Sequence, residues 1–209
     1  DEVGRGPLAG PVLVCALALP QKLRLNGPCA LRDSKQLSAL QRQSWYEWIK
    51  NHPRIKFAVS RVYPRGIERL NISQAANIAA TIAMARVISH FPPPSAEGGG
   101  VGGGFKIFLD GGLYLNSLKP ISYNLSPITY HLSPKTIIRG DEKIPAIKLA
   151  SIVAKVTRDR FMRKLHKKYP QYSFDKHKGY GTAVHYAALK KFGPCEAHRK
   201  TFLGGISGI

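Results

Sequence analysis

Acidic residues are scarce in this chain. Twelve Asp and Glu stand against 32 Lys and Arg in 209 residues, a formal net charge of +20. An imbalance of that size implies a polyanionic partner, nucleic acid first and an anionic membrane surface second. Cysteine is scarce too. Cys15, Cys29 and Cys195 are odd in number and lack CxxC spacing, which excludes a disulfide frame and fits reduced thiols of a cytoplasmic protein. Cys195 and His198 form half a zinc motif without its other half, so solvent-facing side chains are expected there. No apolar run reaches membrane-spanning length, which excludes a spanning helix, and there is no internal repeat. The chain starts at Asp1 without a methionine, so a signal or transit peptide removed upstream stays open.

What is present is a globular composition. Hydrophobic residues make up 44% of a length that suits one domain with a sizeable core, residues 1–209. The positive charge is uneven. Between Lys155 and Lys200 there are 13 basic residues and three acids, so half the net charge sits in under a quarter of the chain. A solvated helix face is the plain reading of any one basic run; for the whole stretch, phosphate binding is favoured. Residues 155–209 are therefore expected to be a basic, helical, substrate-binding part.

Periodicity then orders the elements. Pro11–Leu19 (PVLVCALAL) reads as a buried strand, and Leu37–His52 as a helix with Ser38 as N-cap. Phe57–Tyr63 alternates like a strand. Asn71–Phe91 reads as a long Ala- and Ile-rich helix suited to packing on a sheet, stopped by Pro92. Residues 98–104 (GGGVGGG) read as a flexible glycine-rich surface loop. Phe105–Leu109 is expected as a buried strand delivering Asp110, and Thr136–Ile138 as a short strand ending near Asp141. Ile147–Lys168 and Thr182–Phe192 read as helices, the second closed by Gly193. Strands alternating with helices give an α/β fold.

With so few acids, each one is informative. Asp110 ends an apolar strand, Asp141 precedes a helix, and Asp1-Glu2 lead into a strand. Strand ends in an α/β sheet are where sites form. Four converging carboxylates repel unless cations neutralise them, and hard oxygen ligands suit Mg²⁺ or Mn²⁺ before zinc. With a phosphodiester substrate this points to a two-metal site, the ions roughly 4 Å apart. Adjacent acids alternate faces, so Asp1 and Glu2 can serve together only where the strand ends or twists, which Gly4 permits. The alternative for each acid alone is a helix cap or a surface salt bridge, and Asp159 and Asp175 are read that way. Spacing alone leaves both readings of the other four open.

The blocks DEVGRGPLAGPV at Asp1, LRDSKQLS at Leu31, NISQA at Asn71 and FLDG at Phe108 continue with GDEKIPAIKLASIVAKVTRD at Gly140. They are followed by HKGYGTAVHYAALKKFGP at His177 and HRKTF at His198. Together they resemble bacterial ribonuclease HII over almost the whole chain. The resemblance implies a ribonuclease H-like fold, a central mixed β-sheet flanked by helices. It implies Asp1, Glu2, Asp110 and Asp141 as catalytic ligands of Mn²⁺ or Mg²⁺. It implies hydrolysis of the RNA strand of RNA–DNA hybrids, and of duplex DNA on the 5′ side of a single embedded ribonucleotide, leaving 3′-hydroxyl and 5′-phosphate ends. In the family, the segment matching Gly4, Arg5 and Gly6 reads the 2′-hydroxyl. The tyrosine matching Tyr180 packs on the sugar beside the ribonucleotide; the alternative is a partly buried core tyrosine. Lys35 and Lys178, and less firmly Arg199, are candidate phosphate contacts, with a solvated surface charge as the alternative for each. His177 is expected to make a structural hydrogen bond rather than to carry a proton.

Two departures stand out. The family has a few strand residues before the acid pair, so the natural chain is expected to extend upstream and this segment alone to be weaker or inactive. The glycine-rich insertion is expected to lie away from the site. A monomer is the family expectation, and a sliding clamp is a partner for which the chain shows no motif. Two rivals remain. The sister ribonuclease HIII prefers long hybrids and carries lysine where Arg5 stands. A non-catalytic nucleic-acid-binding protein of the same fold would not need its four acids.

Overall fold

The computed structural model of the chain describes residues 1–91, 106–115 and 134–204. The glycine-rich stretch 98–104 lies outside the described residues. Strand β2 (Val12–Ala18) is the centre of the larger sheet. It pairs antiparallel with β1 (Glu2–Val3), Glu2 facing Val14, and with β3 (Lys56–Val62), Val12 facing Val62. A parallel pair, β4 (Phe108–Asp110) with β5 (Lys135–Ile137), sets Asp110 opposite Ile137. Both kinds of pairing therefore occur, as a mixed sheet requires, in two separately hydrogen-bonded sets among the described residues.

Alternation along β2 sends side chains to two helical layers. Val12 and Val14 pack against α3 (Ile72–Ile88), whose Ala75, Ala76, Ala79 and Ala80 let its backbone approach the sheet closely. Cys15 on the other face meets α1 (Ala39–Asn51) through Trp45 and Ile49, and α5 (Pro145–Lys168) through Leu149, Ile152 and Val153. The α1 N-terminus is built as its sequence suggests: Ser38 accepts from the Gln41 N–H, and the Gln41 side chain accepts from the Ser38 N–H.

Beyond Val156, α5 leaves this core and enters a second one. Met162 packs there with Tyr172, Phe174, Leu189, Leu8 and Ala9. Short α6 (Phe174–His177) and α7 (Ala183–Phe192), capped by Thr182, complete it. The basic C-terminal part is thus continuous with the sheet layers through one helix. Two further helices were not expected from periodicity. They are α2 (Pro64–Leu70), a seven-residue helix containing both Pro and Gly, and α4 (Gly140–Lys143), a single turn. The α3 helix also ends at Ile88, with Ser89 as its C-cap, short of the proline. Among the described residues no helix is long and apolar enough to cross a membrane.

Candidate active site

Three carboxylates meet where β1 begins and β4 ends. One oxygen from each of Asp1, Glu2 and Asp110 lies within 4.8 Å of the others. The Asp1 amino nitrogen donates to the Cys15 carbonyl at 3.1 Å, and the Cys15 N–H donates back to Asp1 at 2.9 Å. Asp1 therefore continues the β1 ladder. The ladder stops after Val3, where Gly4 takes φ +88°, a left-handed conformation that a side chain resists.

Such a group is costly without a cation. Like charges this close repel one another. Glu2 Oε2 is in addition buried with no hydrogen-bond partner among the described residues. A buried orphan oxygen beside two more carboxylates is a donor set that suits a hard divalent cation. The residues present fit Mg²⁺ or Mn²⁺.

Asp141 stands beside this group rather than in it. Asp110 Oδ1 accepts from the Gly140 N–H at 2.7 Å, which anchors the first turn of α4 and with it Asp141. A Cβ on Gly140 would fall 2.5 Å from Ile147 Cδ1 and 3.1 Å from Asp110 Oδ1, so a side chain there would press on the carboxylate and shift the Ile147 tip. Asp141 is buried, and its Oδ2 accepts from Lys35 Nζ at 3.2 Å. The Asp33-Ser34-Lys35 turn explains that reach. Asp33 Oδ1 accepts from the Lys35 N–H, and Ser34 Oγ meets Ser151 Oγ of α5 at 2.8 Å. Desolvation works against the Lys35 charge. The Asp141 hydrogen bond and the charges of Asp141, Asp33 and Asp110 outweigh it and hold the ammonium above its ordinary pKa. Lys35, Asp110, Arg139 and Asp141 line an open cleft of about 490 Å³.

Arg5 braces the other side. Its guanidinium donates to Glu2 Oε1 and the Gly112 carbonyl, both at 3.3 Å, and to Ser73 Oγ at 3.2 Å. The two glycines around it differ. Gly6 is exposed, with nothing within 4 Å of a Cβ placed there, whereas at Gly4 that atom would fall 2.3 Å from Arg158 Nε. The missing side chain at Gly4 is thus required by the interior.

Arg158 and Arg199 are 0% exposed. Arg158 donates to the carbonyls of Ala9, Pro11 and Lys178, and Arg199 to those of Gly4, Arg5 and Gly10. Burial pushes both guanidinium pKa values down, Arg199 to about 9, where the Arg158 charge adds to the effect. Arg199 is therefore not a phosphate contact, against the sequence expectation, because it is fully buried and each of its three guanidinium nitrogens bonds a backbone carbonyl. Lys178 Nζ folds back onto the Asp175 carbonyl of its own turn. Tyr180 is 43% exposed, with the Arg158 guanidinium 5.9 Å from its ring centre.

His177, His185 and His198 form one group, the last two buried and His177 half-buried. His177 Nε2 donates to the Tyr172 carbonyl at 2.7 Å, and its Nδ1 accepts from the Gly179 N–H at 3.2 Å, so both ring nitrogens are structural. His185 stacks on His177 with ring centres 4.4 Å apart and meets His198 at 3.0 Å between their Nε2 atoms. Burial pushes His185 and His198 down to about 4 and lowers His177. His198 is buried rather than solvent-facing, and its Nδ1 is occupied by the Cys195 N–H, which removes the half zinc motif. Asp159 forms a salt bridge with Lys155 at 3.0 Å, largely buried rather than on the surface, and Asp175 Oδ1 lies 3.2 Å from His166 Nδ1.

Sequence reasoning missed Ser73 and the buried Arg158, and placed Arg199 on the surface. Ser73 carried no signal beyond its NISQA block. Arg158 did carry one: it continues the i, i+4 stripe of Ala150, Ala154 and Met162, the buried face of α5.

Comparison with known proteins identifies the family and the fold. The Ribonuclease HII family profile matches residues 1–203. Ribonuclease HII of Nitratidesulfovibrio vulgaris is 43% identical over 205 residues, covering 98% of this chain and 84% of that protein. The crystal structure of ribonuclease H2 from Pyrococcus horikoshii superposes with a TM-score of 0.65 at 23% identity, covering 96% of this chain and 90% of that one. Bst-RNase HIII in complex with Mn²⁺ superposes at 0.64 with 16% identity, covering 98% and 68%. Both structures share the fold. On its length, its matched residues and its identity to named relatives, the chain belongs to the ribonuclease HII family, nucleases that hydrolyse the RNA strand of RNA–DNA hybrids.

Proposed function

We propose that the protein is a divalent-metal-dependent endoribonuclease that also cuts duplex DNA on the 5′ side of a single embedded ribonucleotide. It leaves 3′-hydroxyl and 5′-phosphate ends, an activity suited to removing ribonucleotides during DNA replication and repair. The observation that carries this reading is the three-carboxylate group with its buried, unpartnered Glu2 Oε2. Asp1, Glu2 and Asp110 would hold Mn²⁺ or Mg²⁺, with Asp141 beside them for a second ion. When bound, such ions neutralise charge developing on the attacked phosphate and its leaving oxygen.

The chain's own residues bind and orient the substrate. Lys35 keeps its proton, so it acts on a phosphate as a cation and not as a base. Arg5 is held by Glu2, Gly112 and Ser73, which fixes the backbone of Gly4–Gly6 where a 2′-hydroxyl would be read. The exposed face of Tyr180 offers a surface for the neighbouring sugar. Arg163, Lys164, Lys167 and Lys176 are exposed and make no ion pair among the described residues, which leaves them for the phosphate backbone. His177 has no free ring nitrogen to move a proton.

One assay tests the reading. A labelled DNA duplex with a single ribonucleotide is incubated with Mn²⁺, with Mg²⁺ and with chelator, beside an all-DNA duplex and a continuous hybrid. A metal-dependent cut 5′ to the lone ribonucleotide is expected. Cutting of the hybrid alone would favour the ribonuclease HIII-like specificity, and binding without cutting would overturn the enzymatic reading.

A further inference from the structure

We propose that the His198-Arg199 dipeptide is a positioning element that holds the Gly4–Gly6 segment and the Tyr180 turn in one register, and thereby sets the preference for a lone ribonucleotide. The proposal rests on the function just assigned to those two segments.

The dipeptide sits between them. Residues 197–199 run antiparallel to residues 8–10: His198 bridges Ala9, the Arg199 N–H donates to Leu8, and the Gly10 N–H donates to Ala197. From there the two side chains point to opposite tasks. Arg199 grips the first segment, donating to Gly4 at 2.6 Å and to Arg5 at 2.8 Å through the two ends of its guanidinium. His198 controls the second through a fixed proton order. Its Nδ1 accepts from the Cys195 N–H, so its Nε2 carries the proton and donates to His185 Nε2. His185 then carries its own proton on Nδ1 and donates to the Tyr180 carbonyl at 2.9 Å. Arg158 adds a second tie nearby, from the Ala9 and Pro11 carbonyls that follow the first segment to the Lys178 carbonyl that precedes Tyr180.

Fold stability alone does not account for this choice. Burying a guanidinium that forms no ion pair among the described residues is costly, and an apolar residue would fill the space. An apolar residue cannot hold two consecutive carbonyls in one plane, which the rigid arginine fork does. Recognising a lone ribonucleotide needs a 2′-hydroxyl at one sugar and its absence at the next. The two readers lie about 175 residues apart in sequence and touch directly only where the Leu8 and Ala9 N–H groups donate to the Gly179 carbonyl, so the dipeptide braces that contact from both sides, and small misplacements in such a site are costly.

The test compares Arg199→Lys, which keeps a charge but loses the fork, with His185→Leu, which removes the donor to Tyr180. His185→Asn restores an N–H near the Nδ1 position. For the full chain, kcat/KM on single-ribonucleotide duplex is divided by kcat/KM on continuous hybrid. Arg199→Lys and His185→Leu should lower this ratio about tenfold, with His185→Asn recovering most of it. Equal loss on both substrates, or no rescue, would overturn the proposal. Hydrogen exchange gives a readout free of catalysis. In Arg199→Lys, the amides of Leu8 and Ala9 and those of Gly179 and Tyr180, all hydrogen-bonded in the unmodified protein, should lose protection together; loss in one pair alone, or in neither, would overturn it. Should the unmodified protein fail to cut at a lone ribonucleotide, the functional reading falls and the exchange result decides the coupling by itself.

Discussion

The strand-end carboxylates and the arginines beneath the C-terminal helices place charge in opposite ways. Asp1, Glu2 and Asp110 crowd like charges together, and one Glu2 oxygen is buried without a partner. Arg158 and Arg199 are buried far more completely, yet each spends its donors on three carbonyls. Charge left unsatisfied marks the place where a ligand must complete the structure. Charge fully satisfied by the backbone marks a support, which fixes geometry and offers nothing to a substrate.

Three experiments bear on that contrast. The largest effect is expected at Asp110→Asn. The amide keeps an acceptor for the Gly140 N–H but removes one charge from the three-carboxylate group. Cutting should fall by on the order of a thousandfold, about 4 kcal/mol of transition-state stabilisation, with nucleic-acid binding retained. A retained rate in a single-turnover assay would remove Asp110 from the chemistry.

At Arg158→Met the loss should appear in stability. Three buried carbonyls lose their donor, while removal of a buried charge gives some of that back. The net expectation is about 3 kcal/mol of destabilisation, read as a lower denaturant midpoint. If the midpoint is unchanged, the supporting role of the buried cation is wrong.

The smallest effect is a pH dependence. Burial holds His185 and His198 near 4, so between the unfolded value of about 6.5 and the folded value the unfolded chain binds more protons. Stability should be level above pH 6.5 and fall as the pH drops from there toward 4. His177 and Cys195, which face the same group, stay uncharged at the upper end of that window. Thermal midpoints between pH 7 and 5 would show the decline, and His185→Asn should flatten it. A flat profile in the unmodified protein would mean that these rings are not held neutral by the fold.

Much of the architecture was legible. Strand β2 announced itself by an unbroken apolar run, and α1 by the Ser38–Gln41 pair that caps it. Asp110 was readable as a candidate site residue because it follows apolar strand residues and acids are few. The helix α2 was hidden because PRGIERL carries a proline and a glycine that argue against helix locally, while burial of Ile67 against the sheet layer decides the matter. Arg199 was misread because charge in sequence is normally surface in structure. Neither its burial nor the carbonyls that repay it are local features.

The sequence by itself determined the alternation of strands and helices, the basic character of the C-terminal part and the identity of the four acids. Those follow from periodicity, composition and motif, all of which are local. Only the tertiary structure decided that three of the acids share a group while Asp141 stands beside it with Lys35, and that the glycine at position 4 makes room for Arg158. Both depend on segments more than a hundred residues apart meeting in space, and no local pattern encodes the distance between them.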